Sequence, residues 1–181
     1  GEGNALRLDW NDIVDRNRLS YIMDNPPFGG HQQRSAEQAD DMKVAFHDLA
    51  KHGKLDYVCA WYAKAAEYMQ ATPIACAFVS TNSICQGESV STLWKYMFET
   101  KGTDITFAYQ SFQWASESND AAAVSCVIIG FTVGERLQQK KLFQSNDQVI
   151  TCKHINGYLF DNENIYIQSR GKPLTAGMPI M

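Results

Sequence analysis

The feature that most constrains this chain is the tetrapeptide Asn25-Pro26-Pro27-Phe28, which closes an apolar run over residues 19–24 and is followed by Gly29 and Gly30. Two successive prolines lack N–H groups and fix φ, so a β-ladder cannot continue through them and the backbone there is stiff. A strand over 19–24 must therefore stop at Asp24, and the chain must leave the sheet at that point. The corner presents the Asn25 side-chain carbonyl, the Pro26 main-chain carbonyl and the flat ring of Phe28. Two fixed acceptors beside a ring suit a planar molecule that carries an amino group, and adenine is such a molecule.

The rest of the chain predicts an α/β domain. Residues 5–10 read as the end of a strand running into a loop. Ser35 is a candidate N-cap for a helix over 36–51, with Met42, Ala45, Phe46 and Leu49 on one face. After Gly53, Leu55, Val58, Tyr62, Ala65 and Met69 recur at helical spacing and predict a second helix over 55–69. Residues 74–80 form a continuous apolar run, expected as a strand buried on both faces of a parallel sheet. A helix over 89–99 follows, then strands over 105–114 and 122–133 joined by a polar loop at 115–120. Short β-like pieces at 141–143, 149–152 and 165–168 come next, and residues 172–181 have the look of a linker. The order of strand, helix, helix, strand, helix and a hairpin-like pair gives α/β organisation with an antiparallel addition at one edge. It also leaves the strand at 19–24 with an unpaired edge, through which self-association is expected.

Composition narrows the setting. With 181 residues, of which 45% are apolar, the chain is about one domain long and can bury one core. No stretch approaches the roughly 20 apolar residues of a membrane span, and the N-terminus has no signal-peptide pattern. A soluble, cytoplasmic protein is expected. The five cysteines are odd in number and far apart, as small buried hydrophobes in a reducing compartment would be. No Cys-x-x-Cys or His-x-x-x-His spacing supports a zinc site, and His31, His47, His52 and His154 are scattered. A net charge of −4 runs against a nucleic-acid surface, which usually carries a basic excess. The tension eases if the grip on DNA lies elsewhere in a larger protein.

The corner has a chemistry. An exocyclic purine amine is a poor nucleophile because its lone pair is delocalised into the ring. Accepting hydrogen bonds from both of its N–H groups draws the nitrogen toward tetrahedral geometry and aims that lone pair. Asn25 Oδ1 and the Pro26 carbonyl suit this task, and the paired prolines hold them preorganised. Phe28 can stack on a base extruded from its duplex. No general base is needed before attack, since the cationic amine formed by methyl transfer loses its proton easily. The bland alternative is a turn in which Asn25 and the prolines merely stop a strand.

Asn25-Pro26-Pro27-Phe28 resembles motif IV of amino-group S-adenosylmethionine-dependent methyltransferases, chiefly the adenine-N6 DNA enzymes. Gly3-Asn4-Ala5-Leu6 resembles motif III, whose polar residue contacts the cofactor's adenine; that family usually has Asp where Asn4 stands. Residues 55–69 resemble the helix of motif V, and Val79-Ser80-Thr81-Asn82-Ser83 resembles motif VI. Phe112-Gln113-Trp114 with residues 124–131 resembles motif VIII, where an aromatic residue helps hold the flipped base. His154-Ile155-Asn156-Gly157-Tyr158-Leu159 and Ser169-Arg170-Gly171-Lys172-Pro173 are similar to the segment joining catalytic and target-recognition domains in the MmeI-like fused restriction–modification enzymes.

The resemblance implies the C-terminal half of a Rossmann-like class I methyltransferase sheet, with parallel strands, an antiparallel edge hairpin and a short β-rich extension. It implies S-adenosylmethionine as cofactor, contacted by Asn4 and Asp24, and double-stranded DNA with a flipped adenine as partner. Catalysis falls to Asn25, Pro26 and Phe28, and base contact to Pro27, Phe112 and Trp114. The plainer readings are a loop residue for Asn4, an ordinary strand-end carboxylate for Asp24, and core for Phe112 or Trp114. Asn82 is expected to bond local backbone, and Gly29 and Gly30 to loosen a loop. The family's aromatic-x-Gly-x-Gly loop and its ribose-binding acidic residue are absent. Residues 1–133 are thus expected as a partial catalytic domain, and 134–181 as an extension toward a missing recognition domain. Alone, the chain is expected to bind cofactor weakly and methylate nothing. Two other functions remain open: methylation of glutamine or RNA amino groups, and a catalytically dead scaffold for a specificity module.

Overall fold

The computed structural model describes residues 3–114, 124–135, 139–146 and 148–167. Its centre is a six-stranded mixed sheet. β1 (Tyr21–Asp24) pairs in parallel with β2 (Ala75–Thr81), in register from Tyr21 with Ala75 to Asp24 with Phe78. β3 (Thr103–Trp114) and β4 (Val124–Val133) form the antiparallel pair, with β4 against β2. β5 (Lys140–Phe143) runs parallel to β3, and β6 (Val149–Cys152) closes the far edge. The strand order is β1-β2-β4-β3-β5-β6, so β1 is an edge strand, as its sequence context predicts.

The helices differ from expectation at their ends. α1 (Ala36–Ala45) begins with the Ser35 cap, which forms a reciprocal capping box with Gln38. Its last residue is Ala45, six residues short of the expected end. There the Phe46 ring stacks on His52 at 5.9 Å and tilts against Tyr96 at 5.6 Å. Two residues on, Asp48 accepts from the Tyr96 hydroxyl at 2.6 Å and Lys101 at 2.9 Å. These long-range partners override the helical pattern of 46–51. α2 (Cys59–Tyr68) starts four residues late because Asp56 and Tyr57 are engaged elsewhere. A third helical segment opens as an α-turn at Gly87–Ser89 and continues in π-type turns, Val90–Trp94 and Tyr96–Thr100.

Residues 5–10 are not a strand. The Arg7 and Leu8 amides turn back onto the Asn4 carbonyl, and Asp9 caps a 3-10 turn at Trp10–Asp12. Residues 165–167 are irregular rather than β, and Gln168 and the expected linker lie outside the described residues. β2 also departs from a strand buried on both sides. Cys76, Phe78 and Ser80 are buried while Ala75, Ala77 and Val79 are half-exposed, because the core forms on one face.

That core is aromatic. Tyr62 of α2 meets Phe78 edge-on at 5.2 Å, Trp94 edge-on at 5.7 Å and Phe131 in a stack at 5.5 Å. Its hydroxyl is satisfied by Ser80 Oγ at 2.7 Å, which removes the penalty of burying it. All five cysteines are free and buried. Among the described residues no helix is long and apolar enough to cross a membrane.

The segment 153–159 seals the end of the core. Asn156 Oδ1 accepts from the Tyr158 and Phe160 amides, and Ile155 and Leu159 are buried. Gly157 lies against Trp94: a Cβ there would stand 2.6 Å from the Trp94 Cβ. Since the buried Trp94 has no room to retreat, Gly157→Ala is expected to destabilise by about 1–3 kcal/mol. Thermal unfolding followed by circular dichroism checks this, and an unchanged melting temperature would contradict the packing.

Candidate active site

β1, β2 and β3 all end at the same edge of the sheet, and β4 begins there. Thr81 pairs with Cys126, and Cys126 with Phe112. The carboxyl edge of parallel strands is where open α/β sheets bind ligands. The tetrapeptide stands on that edge. Asp24 Oδ1 accepts from the Asn25 amide at 2.8 Å, which fixes the turn out of the strand. Pro26 is buried while Asn25 and Pro27 are exposed, and Phe28 keeps 37% of its surface. Among the described residues no hydrogen bond engages the Asn25 side-chain amide, so its Oδ1 is available to a ligand.

The loop that follows is tied rather than loose. The Gly29 carbonyl accepts from the Tyr57 amide at 2.8 Å. Asp56 Oδ1 accepts from the His31 amide at 3.1 Å. Neither Gly29 nor Gly30 uses a left-handed conformation, so the loop these glycines are expected to loosen is pinned. Asp56 Oδ2 accepts from Ser83 Oγ at 2.5 Å, and Thr81 Oγ1 lies 2.9 Å from that same hydroxyl. Asn82 bonds across the edge instead of to local backbone: its Nδ2 donates to Ser111 Oγ at 2.9 Å. Ser111 lies in a register shift of β3 between Tyr109 and Phe112, so Asn82, just past the tip of β2, is bonded to that irregularity.

Those two rings lie 6.3 Å apart, one half-buried and the other 45% exposed. Neither belongs to the core cluster. β3 is three strands from β1, a span of roughly 14 Å at the usual ~4.8 Å spacing.

Asn4 has a structural partner. Its Nδ2 donates to Asp41 at 2.8 Å and its Oδ1 accepts from the Leu6 amide at 3.0 Å. The Asn4 side chain also interacts with the Tyr57 hydroxyl. Asp41, 1% exposed, also accepts from Arg7 Nε at 2.6 Å and the Tyr57 hydroxyl at 2.7 Å. Burial would raise its pKa, but the hydrogen bonds from Tyr57, Arg7 and Asn4 outweigh that and hold it below the usual carboxylate value. Burial and the bond to Asp41 push the Tyr57 hydroxyl up to about 12, so it remains a donor. A groove of about 310 Å³ along β1 is bordered by Ala5, Trp10, Leu19, Met23 and Asp24. Ala5 and Asp24 bring both expected cofactor segments to one groove.

The chemistry-bearing residues that sequence reading missed are Asp41, Asp56, Tyr57 and Ser83. Asp56 and Tyr57 fall inside the segment 55–69, whose helical pattern hid their role in the loop.

An open α/β sheet with an Asn-Pro-Pro-aromatic corner on its carboxyl edge has the architecture of a DNA methyltransferase domain, and comparison with known proteins agrees. Residues 1–144 match the family described as MmeI, DNA-methyltransferase domain. The chain belongs to that family. It is 38% identical over 174 residues to DNA methyltransferase A of Bacillus subtilis (strain 168), covering 95% of this chain and 20% of that relative. The Type IIL restriction-modification enzyme MmeI, solved in complex with DNA, superposes with a TM-score of 0.89 at 39% identity, over 97% of this chain and 24% of that one. The type IIG restriction endonuclease BpuSI shares the fold, with a TM-score of 0.57 at 11% identity, over 79% of this chain and 16% of its own. The chain thus spans about a fifth to a quarter of its two nearer relatives here.

The Asp41 cluster has a pH signature. A carboxylate with a depressed pKa contributes stability above the ordinary carboxylate range and loses it as pH falls through the lowered value. Asp41→Asn is expected to cost about 1–3 kcal/mol at neutral pH and to flatten the acid limb of the stability curve. Urea midpoints for both proteins between pH 7 and pH 3 check it; parallel curves would remove Asp41 as the source.

Proposed function

We propose that this chain supplies the target-base half of an adenine-N6 DNA methyltransferase site in a restriction–modification protein, with S-adenosylmethionine as methyl donor. The observation that carries the reading is the corner itself. Asn25 has an unengaged side-chain carbonyl, Pro26 is buried and stiff, and Phe28 is open to a ligand. Membership of the MmeI DNA-methyltransferase domain family supports it.

In this reading the target adenine leaves its duplex and lies on the carboxyl edge of the sheet. Asn25 Oδ1 and the Pro26 carbonyl accept from the two N–H groups of N6, which aims the nitrogen lone pair away from the ring. Phe28 stacks on one face of the base, Pro27 borders it, and Phe112 and Trp114 close the far side of the span. The donor, when bound, supplies an electrophilic methyl group to N6. The proton shed by the methylated amine passes to water, so no side chain need act as base.

The residues present fit such a donor in part. Asp24 borders the groove and keeps Oδ2 without a hydrogen-bond partner among the described residues, and Asn4, next to the groove residue Ala5, keeps a lone pair on Oδ1. An amide of this kind can bond an adenine edge. DNA as partner accords with the complex formed by MmeI, and the net charge of −4 leaves most phosphate contact to other parts of the protein.

The test is methylation by the full-length protein on unmethylated genomic DNA. Asn25→Ala is expected to lower N6-methyladenine formation by about 10²–10³-fold, the usual effect of deleting one preorganised polar contact. Mass spectrometry of the nucleosides gives the readout. Unchanged N6-methyladenine in Asn25→Ala would remove the proposed role, and methylated glutamine or RNA in place of methylated DNA would favour the other amino-group substrates.

A further inference from the structure

We infer that Asp56 is a positioning residue of this transfer, tying the loop after Asn25-Pro26-Pro27-Phe28 to the tip of β2. The inference rests on the function proposed above. Asp56 Oδ1 takes the His31 amide at 3.1 Å, and Oδ2 takes Ser83 Oγ at 2.5 Å. One carboxylate therefore joins a point three residues past Phe28 to a point two residues past Thr81, the last residue of β2. The next residue adds a third tie, from the Tyr57 amide to the Gly29 carbonyl at 2.8 Å. Only a carboxylate or an amide offers side-chain contacts in two directions at this spacing.

The Asp56 side chain is 15% exposed; its bond to Ser83 is partly buried, and its bond to the His31 amide lies at the surface. The tetrapeptide is thereby held from both ends. Asp24 fixes its entry through the Asn25 amide, and Asp56 with Tyr57 fixes its exit. Asn25 and Pro26 are useful acceptors only at a set position, and a displacement of about 1 Å can lower a rate about a hundredfold.

A competing role exists for the same carboxylate. His31 Nδ1 lies 3.9 Å from Oδ1, so an Asp–His pair could be read as proton-transfer machinery. The two roles part on a single substitution. An Asn at 56 keeps the acceptor for the His31 amide, and its Nδ2 can donate to Ser83 Oγ, which turns its own proton elsewhere. Asn would satisfy a positioning role and abolish a proton-transfer role.

The experiment uses the full-length protein, with S-adenosylmethionine and unmethylated genomic DNA at saturation. Asp56→Ala is expected to lower kcat about a hundredfold while the Kd for S-adenosylmethionine stays within about twofold, a split that general destabilisation would not produce. Asp56→Asn is expected to restore kcat to within about fivefold of wild type. Asn as inactive as Ala overturns the inference, as does Ala with wild-type kcat or with cofactor affinity lost in step with the rate. Should Asp56→Ala fail to fold, Ser83→Ala removes one tie alone: kcat lowered about tenfold supports the inference, and unchanged kcat overturns it. Asn25→Ala in the same assay keeps the two proposals apart. If it is fully active the methyl-transfer reading fails, and if it is inactive while Asp56→Ala is normal the positioning role alone fails.

Discussion

The parallel pairing of β1 with β2 ends at Asp24 opposite Phe78, and the rest of the edge is arranged around that stop. β2 runs on for three more residues to Thr81, but β1 cannot follow it. Pro26 and Pro27 have no N–H to give to the ladder. The chain must turn out over the carboxyl edge, and Asp24 sets the direction by holding the Asn25 amide. What lies on the far side of that turn is not left to loop entropy. Burial of Pro26 gives the corner a floor, and the next residues are received by the junction between α1 and α2.

The side chains that receive them are polar, and Asp41 and Tyr57 are buried, so their geometry is strongly specified. The Tyr57 hydroxyl reaches Asp41, whose other partners are Asn4 and Arg7. One step back in the chain, Asp56 reaches His31 and Ser83. Two adjacent residues thus link the segment at 4–7, α1, the Asn25-Pro26-Pro27-Phe28 corner and the tip of β2. The late start of α2 follows from this. Asp56 spends its side chain and Tyr57 its amide on the loop, and a regular helix begins only at Cys59.

The sequence made some of this legible and hid the rest for physical reasons. The corner could be read because prolines act locally, and α1 could be started at Ser35 because a capping box lies within four residues. The strands announced themselves by apolar runs, although the half-open face of β2 did not, since Ala and Val are compatible with either surface. The clamp left no such signal. Asp56 bonds residues 25 and 27 positions away, and Asp41 bonds Asn4 across 37. Single acidic residues in or beside a helical pattern look like solvated surface until the fold brings their partners to them. The end of α1 was hidden in the same way, because Asp48 finds Tyr96 and Lys101 only across the tertiary structure.

Asn4 shows how such a hidden contact decides the identity of a residue that sequence reading singles out. The resembled enzymes usually carry Asp at that position, and Asn looks like a departure. Here its Nδ2 stands 2.8 Å from a carboxylate oxygen of the buried Asp41. An Asp at position 4 would set two carboxylates at hydrogen-bond distance, where both cannot be ionised without a large penalty. One would have to hold a proton at neutral pH, or the Arg7 and Tyr57 contacts would have to rearrange. Asn supplies the donor that Asp41 requires. The departure follows from the carboxylate behind it, which places position 4 in the same hydrogen-bonded set as the loop that carries Asn25.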